Sequence, residues 1–227
     1  MSATRRQRIR AATIAEIKEA ALDQIASGGA ASLSIRGVAR AIGMSPAGLY
    51  RYYRGLHDLL TDLIADAYGD LADAVAEAAA QPGTHRQRLR AAMIAYRRWA
   101  VSQPHRFFLV FGTPVPGYAA PEGGETVEPV LRMGRAFFTV AVEAWRAGVL
   151  TPPARLREPE TSEVELAEEL APGFPPEAVA LLLGSWGHFH GLVTLELLGH
   201  LAWLYRDPEA FYLAEVDRIL DGILSDG

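Results

Sequence analysis

The chain has 227 residues, half of them apolar and 22% charged, a globular balance that excludes an extended disordered polymer. It has no cysteine, so disulfide frameworks and thiolate chemistry are excluded and a reducing compartment fits. The net charge of −5 argues by itself against nucleic acid, but residues 1–55 hold nine basic against three acidic side chains, a net +6, and the remainder carries −11.

Almost every long segment repeats at helical period. Ile9, Ala12, Ile17, Ala20, Ala21 and Ile25 share one side of a helix predicted over 8–27, which Gly28-Gly29 stop. A short helix is predicted from Ser34 to Ile42, with Gly43 suited to a left-handed turn position. Ser45 as cap and Pro46 at the first helical position open a third helix to about Tyr53. A fourth spans about 56–80 and is closed by "QPG" at 81–83; further helices are predicted near 84–103, 104–111, 125–149, 176–204 and 208–225. Residues 112–124 form a Gly/Pro loop, and the acidic stretch 151–175 has room for one short helix. No alternating strand pattern and no internal repeat appears, so the expected fold is all-α. Three parts are expected: a head over 1–55 with a basic N-terminal arm, a connecting helix over 56–81, and a helical bundle over 82–227.

Residues 178–195 carry no formal charge and approach membrane-spanning length. Two histidines, three glycines, a serine, the adjoining Glu196 and the lack of flanking Lys or Arg favour a buried bundle helix or a dimer interface instead. No apolar stretch of signal-peptide length follows the basic N-terminus, so a cytoplasmic protein without membrane association is expected.

Two short helices joined by a glycine-containing turn, the second capped by Ser-Pro, form a helix-turn-helix pattern. A helix that enters a major groove about 12 Å wide needs a small leading face, and Ser45, Pro46, Ala47 and Gly48 supply one. Leu49 anchors it to Val38 and Ile42. Tyr50 and Tyr53 can offer hydroxyls to phosphates, and Arg51 and Arg54 add charge beside the same backbone. An ordinary helical hairpin with packing tyrosines is the bland alternative; the +6 head and the arginine-rich arm in front of it favour duplex DNA.

The segment "LSIRGVARAIGMSPAGLYRYYRGLHDLL" resembles the DNA-binding segment of TetR-type transcriptional regulators. The match lies at Ser34, Val38, Ala39, Gly43, Ser45, Leu49, Tyr50, Tyr53 and Leu59-Leu60. "RGLHD" stands where the family usually has a Lys-Glu pair, leaving Arg54 or His57 to substitute for the usual lysine–phosphate contact. The resemblance implies a homodimer on a palindromic operator, acting as a repressor controlled by a small effector. It assigns base readout to Ser45, Ala47 and Gly48 with help from Arg36, and phosphate contacts to Ser34, Tyr50, Tyr53 and Arg54. Arg5, Arg6 and Arg8 would form a disordered arm reaching the minor groove or backbone.

In the body, Met93, Tyr96 and Trp99 recur at three-residue spacing, with Arg86, Arg90 and Arg97 lying away from that stripe. Phe107, Phe108, Phe111, Phe137, Phe138, Trp145, Trp186 and Phe189 follow. Each ring is a core candidate on its own. Together with few polar groups they are also how an apolar effector cavity is lined, and Met93, Tyr96, Trp99, Phe107, Phe108, Phe111, Phe137, Trp145, Trp186 and His190 are its candidate residues. Trp186, His190, Val193 and Leu197 share one helical face, while Leu181, His188, Leu192 and Leu195 lie toward another. Trp186, His190-Gly191 and Leu195-Glu196 resemble the Trp/His-Gly branch of the TetR family. Gly184, Gly187 and Gly191 suit close helix approach, and a homodimer seam through the last two long helices is expected. Two readings of His190 stay open: an interior histidine bonded to a carbonyl or to Glu196, or a polar contact for a ligand.

No metal site is expected, because His188 and His190 diverge on a helix and lack a third ligand at helical spacing. "LGSWG" has its first glycine misplaced for a nucleophile elbow, and no P-loop, H-E-x-x-H or G-x-G-x-x-G occurs, so neither an enzyme nor a cofactor is expected. The competing reading is a helical small-molecule-binding protein without specific DNA recognition.

Overall fold

The structure, a computed structural model, describes residues 4–113, 115–150, 152 and 158–225. Ten α-helices occupy the described residues: α1 (Arg5–Gly28), α2 (Ile35–Ala41), α3 (Pro46–Leu49), α4 (Leu56–Ala79), α5 (His85–Ser102), α6 (Pro104–Phe111), α7 (Val127–Arg146), α8 (Thr161–Leu170), α9 (Pro176–Leu197) and α10 (Pro208–Ile223). A 3-10 turn at Ala30–Ser32 separates α1 from α2, and an isolated bridge joins Leu150 to Leu224. No strand occurs among the described residues, and the fold is all-α.

Local chemistry explains the boundaries. The arm expected to be disordered is helical from Arg5. Thr4 Oγ1 accepts the Gln7 amide, and Gln7 Oε1 accepts the Thr4 amide at 2.7 Å, so two of the amides that a helix start leaves open are satisfied. Ser34 caps α2 through the Gly37 amide, and Ser45 caps α3 through the Gly48 amide with Pro46 at the first position. Gly43, at φ +66°, makes the reversal between them, a conformation that strains any side chain even where space is open.

Two ends fall earlier than the periodicity suggests. The helix expected to reach residue 204 stops at Leu197, where Gly199 turns left-handed at φ +75°. α3 keeps regular α geometry only to Leu49. From Tyr50 to Tyr53 the chain tightens, with Arg51 N–H donating to the Gly48 carbonyl and Tyr52 N–H to that of Leu49. The acidic stretch does hold a helix, α8, opened by a reciprocal cap between Glu160 and Glu163.

The chain packs as two compact units. The first comprises residues 1–70 and 103–130, and the second 71–102 and 131–227. In the first, Ile17, Ala21, Val38, Ala39, Leu49, Leu59 and Leu60 are fully buried and hold α1 to α4 on one core. α6 joins this core through Leu109, and Val115 and Tyr118 of the following loop pack against it. The Tyr118 hydroxyl lies 3.0 Å from Thr61 Oγ1, and its ring meets His57 edge-on at 5.7 Å.

In the second unit α5 packs on α9 and α10, and α8 on α9. The buried Tyr212 donates its hydroxyl to the Met93 carbonyl at 2.8 Å, tying α10 to α5. Arg86 and Arg90, one turn apart, reach Asp221 and Asp217, also one turn apart, at 2.7 and 2.8 Å.

Candidate nucleic-acid interface and aromatic cluster

The folded head leaves Ser34, Arg36, Ser45, Pro46, Ala47, Tyr50, Arg51 and Arg54 exposed, and Gly48 half-buried. Tyr50 is 54% exposed although Leu49 beside it is fully buried. α3 therefore plants one apolar residue and leaves its small leading turn outside, as a groove-entering helix must. A Cβ on Gly48 would lie 2.9 Å from Met44 Cγ, so the glycine also serves the turn's own packing. Arg10 lies over the Tyr52 ring, 5.1 Å from its centroid, and fastens the arginine-bearing start of α1 to the end of the recognition turn.

Tyr53, placed by its sequence position at a phosphate, is oriented inward. It is 7% exposed, and its hydroxyl donates to Asp62 Oδ2 at 2.6 Å. Burial, with the Asp62 carboxylate added, raises the phenol above its ordinary range, so it stays a neutral donor. The other Asp62 oxygen accepts from Lys18 Nζ at 2.8 Å, and the same ammonium donates to Asp66 Oδ2 at 2.7 Å. Burial alone would lower the Lys18 pKa, but the hydrogen bonds to Asp62 and Asp66 outweigh it and the ammonium titrates above its usual value. Asp58 accepts the Arg54 amide at 3.0 Å and fixes the loop that enters α4.

The body's candidate residues form separate groups. Phe107, Phe108 and Phe111 belong to the first unit, where Phe107 meets both others at 5.5 and 5.1 Å and Phe111 meets Tyr68 at 5.6 Å. In the second unit Tyr96, Phe137, Trp186 and His190 come together around Phe189. Tyr96 and Phe189 lie 5.2 Å apart, Phe137 and Phe189 5.7 Å, and Trp186 and His190 5.1 Å. Trp145 pairs with Phe174 instead. Met93 and Trp99 are buried on α5, and the Trp99 indole N–H has no hydrogen-bond partner among the described residues.

His190 Nδ1 lies 2.7 Å from the Tyr96 hydroxyl, and Glu196 is not its partner. Burial lowers the imidazole pKa below the ordinary value, so at neutral pH the ring is uncharged. The structure turns the face of α9 that carries Val193 inward at its centre. Val193 is fully buried, and Leu183, Gly184, Gly187, Leu195 and Leu198 are exposed.

Arg97, off the stripe of Met93, Tyr96 and Trp99, is buried as well. It is 7% exposed, donates to both Glu196 oxygens at 2.8 and 2.7 Å, reaches Glu209 at 3.2 Å and lies over the Tyr212 ring. A carboxylate set among the apolar residues of a helix needs a cation, so Glu196 was the signal that such a partner exists. Among the described residues no group of three or more His, Cys, Asp or Glu side chains is placed to hold a metal ion. A pocket of about 200 Å³ is lined by Arg135, Phe138, Thr139, Val142, Glu143 and Arg146 of α7 and by Leu170 of α8.

Comparison with known proteins matches two stretches of the sequence. Residues 17–63 fit the family model described as bacterial regulatory proteins, tetR family, and residues 89–219 fit the one described as tetracyclin repressor-like, C-terminal domain. An HTH-type transcriptional regulator of Mycobacterium tuberculosis (strain H37Rv) is 35% identical over 223 residues, which cover 93% of this chain and 92% of that protein. The crystal structure of regulatory protein SCO4313 superposes with a TM-score of 0.77 at 32% identity, covering 96% of this chain and all of the other. A TetR family transcription regulator from Marinobacter aquaeolei shares the fold, with a TM-score of 0.68 at 18% identity, over 97% of this chain and all of the other.

Proposed function

Because this chain belongs to the TetR family of transcriptional regulators and is not an enzyme, we propose that it is a ligand-responsive repressor that binds a palindromic operator as a homodimer. Residues 1–55 read the DNA, residues 56–81 connect, and residues 82–227 hold the effector and the second copy. The observation that carries the DNA part is the pairing of a fully buried Leu49 with an exposed Ser45, Pro46, Ala47 and Tyr50 on one capped turn, ringed by Arg36, Arg51 and Arg54. Ser45, Ala47 and Gly48 meet base edges, Arg36 assists from α2, and Ser34, Tyr50, Arg51 and Arg54 hold phosphates. A chain with this task works in the cytoplasm, beside the DNA.

The effector is small and largely apolar, and it binds among Tyr96, Phe137, Trp186 and His190, with Met93 and Trp99 on α5. Their environment offers rings, an uncharged imidazole and an indole donor, which suits a neutral ligand carrying one acceptor. Moving the protein from 1:99 to 99:1 between DNA-binding and released states requires a differential affinity of about 5.5 kcal/mol. The dimer forms through the outer faces of α9 and α10. A Cβ on Gly184, Gly187, Gly191 or Gly222 would meet nothing within 4 Å, and Ala210 and Ala214 of α10 are exposed, so small residues leave room for a second helix pair to approach closely.

The experiment is selection of random duplexes on the purified protein, with enriched sequences re-measured at two salt concentrations. A palindrome with half-sites about ten base pairs apart and a steep salt slope is expected. Sequence-blind, weak binding would instead leave a helical small-molecule-binding protein.

A further inference from the structure

We propose that Tyr53 is a positioning residue for operator recognition, holding the recognition turn on α4 through Asp62 and Lys18 without touching DNA. This inference rests on the DNA-binding reading above.

Three elements that bear on the duplex face meet at one carboxylate. The end of the recognition turn brings the Tyr53 hydroxyl to one Asp62 oxygen at 2.6 Å, and α1 brings Lys18 to the other at 2.8 Å. Lys18 continues to Asp66, one turn further along α4, at 2.7 Å. Asp62 is thereby occupied on both oxygens, and its position on α4 fixes where Tyr53 can stand. Tyr53 is the last residue of the turn, four after the Leu49 anchor, so Leu49 and Tyr53 pin the two ends of one short segment. Tyr50, Arg51 and Arg54 hang from the backbone between and beside those pins.

Leu49 alone is an apolar pivot, about which a four-residue helix can rock with little loss of contact. The Tyr53–Asp62 bond is directional and charge-assisted, and it converts the pivot into a fixed angle. A groove-entering turn needs that angle, because a base-edge hydrogen bond is lost within a fraction of an ångström whereas a phosphate contact through a long arginine is not. Tyr53 follows Leu49 by four residues, and its amide donates to the Leu49 carbonyl at 3.2 Å, so the two side chains share the buried face of the turn.

The role separates from a phosphate contact in a double-mutant cycle on the full chain, measured by fluorescence anisotropy. The probes are the duplex enriched by the wild-type protein and a scrambled duplex of the same length. Tyr53→Phe, which keeps the ring, is expected to lower the enriched-to-scrambled affinity ratio on the order of tenfold while leaving scrambled-duplex binding unchanged. Asp62→Asn is expected to lower the same ratio, and the double variant to be no worse than the more affected single. Proportional loss on both duplexes by Tyr53→Phe, multiplying with the loss from Asp62→Asn, would overturn the proposal in favour of direct contact. So would a Tyr53→Phe protein that melts earlier but keeps the full ratio. A wild-type chain that enriches no sequence sinks the DNA-binding reading itself, which is a different result from enrichment that Tyr53→Phe leaves intact.

Discussion

On the head, the outward residues are Ser34, Arg36, Ser45, Ala47, Tyr50, Arg51 and Arg54, and the charged groups turned inward, Lys18 and Asp62, hold short elements in place. On the body, the outward face of α9 shows Leu183, Gly184, Gly187 and Leu195, while a full charge, Arg97, lies inside. The difference fits the surfaces that the proposed function gives to each. A polyanion is bound by cations and hydroxyls at the rim, so the head spends its polar groups outside and fixes them with a few inner bonds. A second copy, on the reading proposed above, would be bound by close backbone approach to the apolar face of α9, and the buried charge of Arg97 is spent on an ion pair that orients α5, α9 and α10.

The strongest way to break this contrast is at Arg97. Arg97→Met leaves Glu196 buried without its cation and is expected to cost about 3–5 kcal/mol, read as a large fall in melting temperature. Adding Glu196→Leu should restore much of the loss, since an apolar replacement of the whole pair is often near neutral. Next comes the glycine face. Gly187→Arg places a long cation on the proposed seam and is expected to convert the dimer to monomer in sedimentation while helicity is retained.

A smaller effect is expected on the head, where Arg51→Ala should weaken all duplexes alike and reduce the salt slope by about 1. Ala47→Leu, by contrast, should lose the enriched duplex selectively. Ala47 is preferable to Gly48 for this test because a side chain at 48 would first collide with Met44.

The smallest effect is at His190. Its pKa in the folded protein lies below the ordinary 6.5, so as pH falls through 6.5 the unfolded chain takes up the proton first. Stability contributed by the neutral ring is present above that pH and drains as pH drops toward the folded value. His190→Gln should therefore flatten the acid limb of the melting temperature against pH, and an unchanged limb would mean that the ring is not the group responsible.

Much of the head was legible because its signals are local. Ser34, Ser45-Pro46 and Gly43 announce caps and a reversal within four residues of where they act. The buried ring of Tyr53 follows from its place four residues after Leu49, whereas the partner of its hydroxyl was not legible, because apolar periodicity does not register a carboxylate nine residues away. The burial of Arg97 was not legible, because its helical period sets it with Arg86 and Arg90 away from the apolar stripe, while its partner Glu196 lies 99 residues later. Phe107, Phe108 and Phe111 were grouped with the other rings by composition. Their assignment to the first unit follows from Leu109 between them entering the head's core, which no pattern within α6 specifies.

The Thr4–Gln7 cap sets a length scale. Extended, the six residues Arg5–Arg10 would span about 20 Å; as the opening turns of a helix they span about 9 Å. Arg5 and Arg8 then stand one turn apart on one side of a rod, at a spacing that does not stretch to suit what lies opposite. On the DNA-binding reading, Arg5 and Arg8 neutralise phosphates that pass within a side chain's length of this rod, and their reach is that of a helix turn rather than of an extended strand.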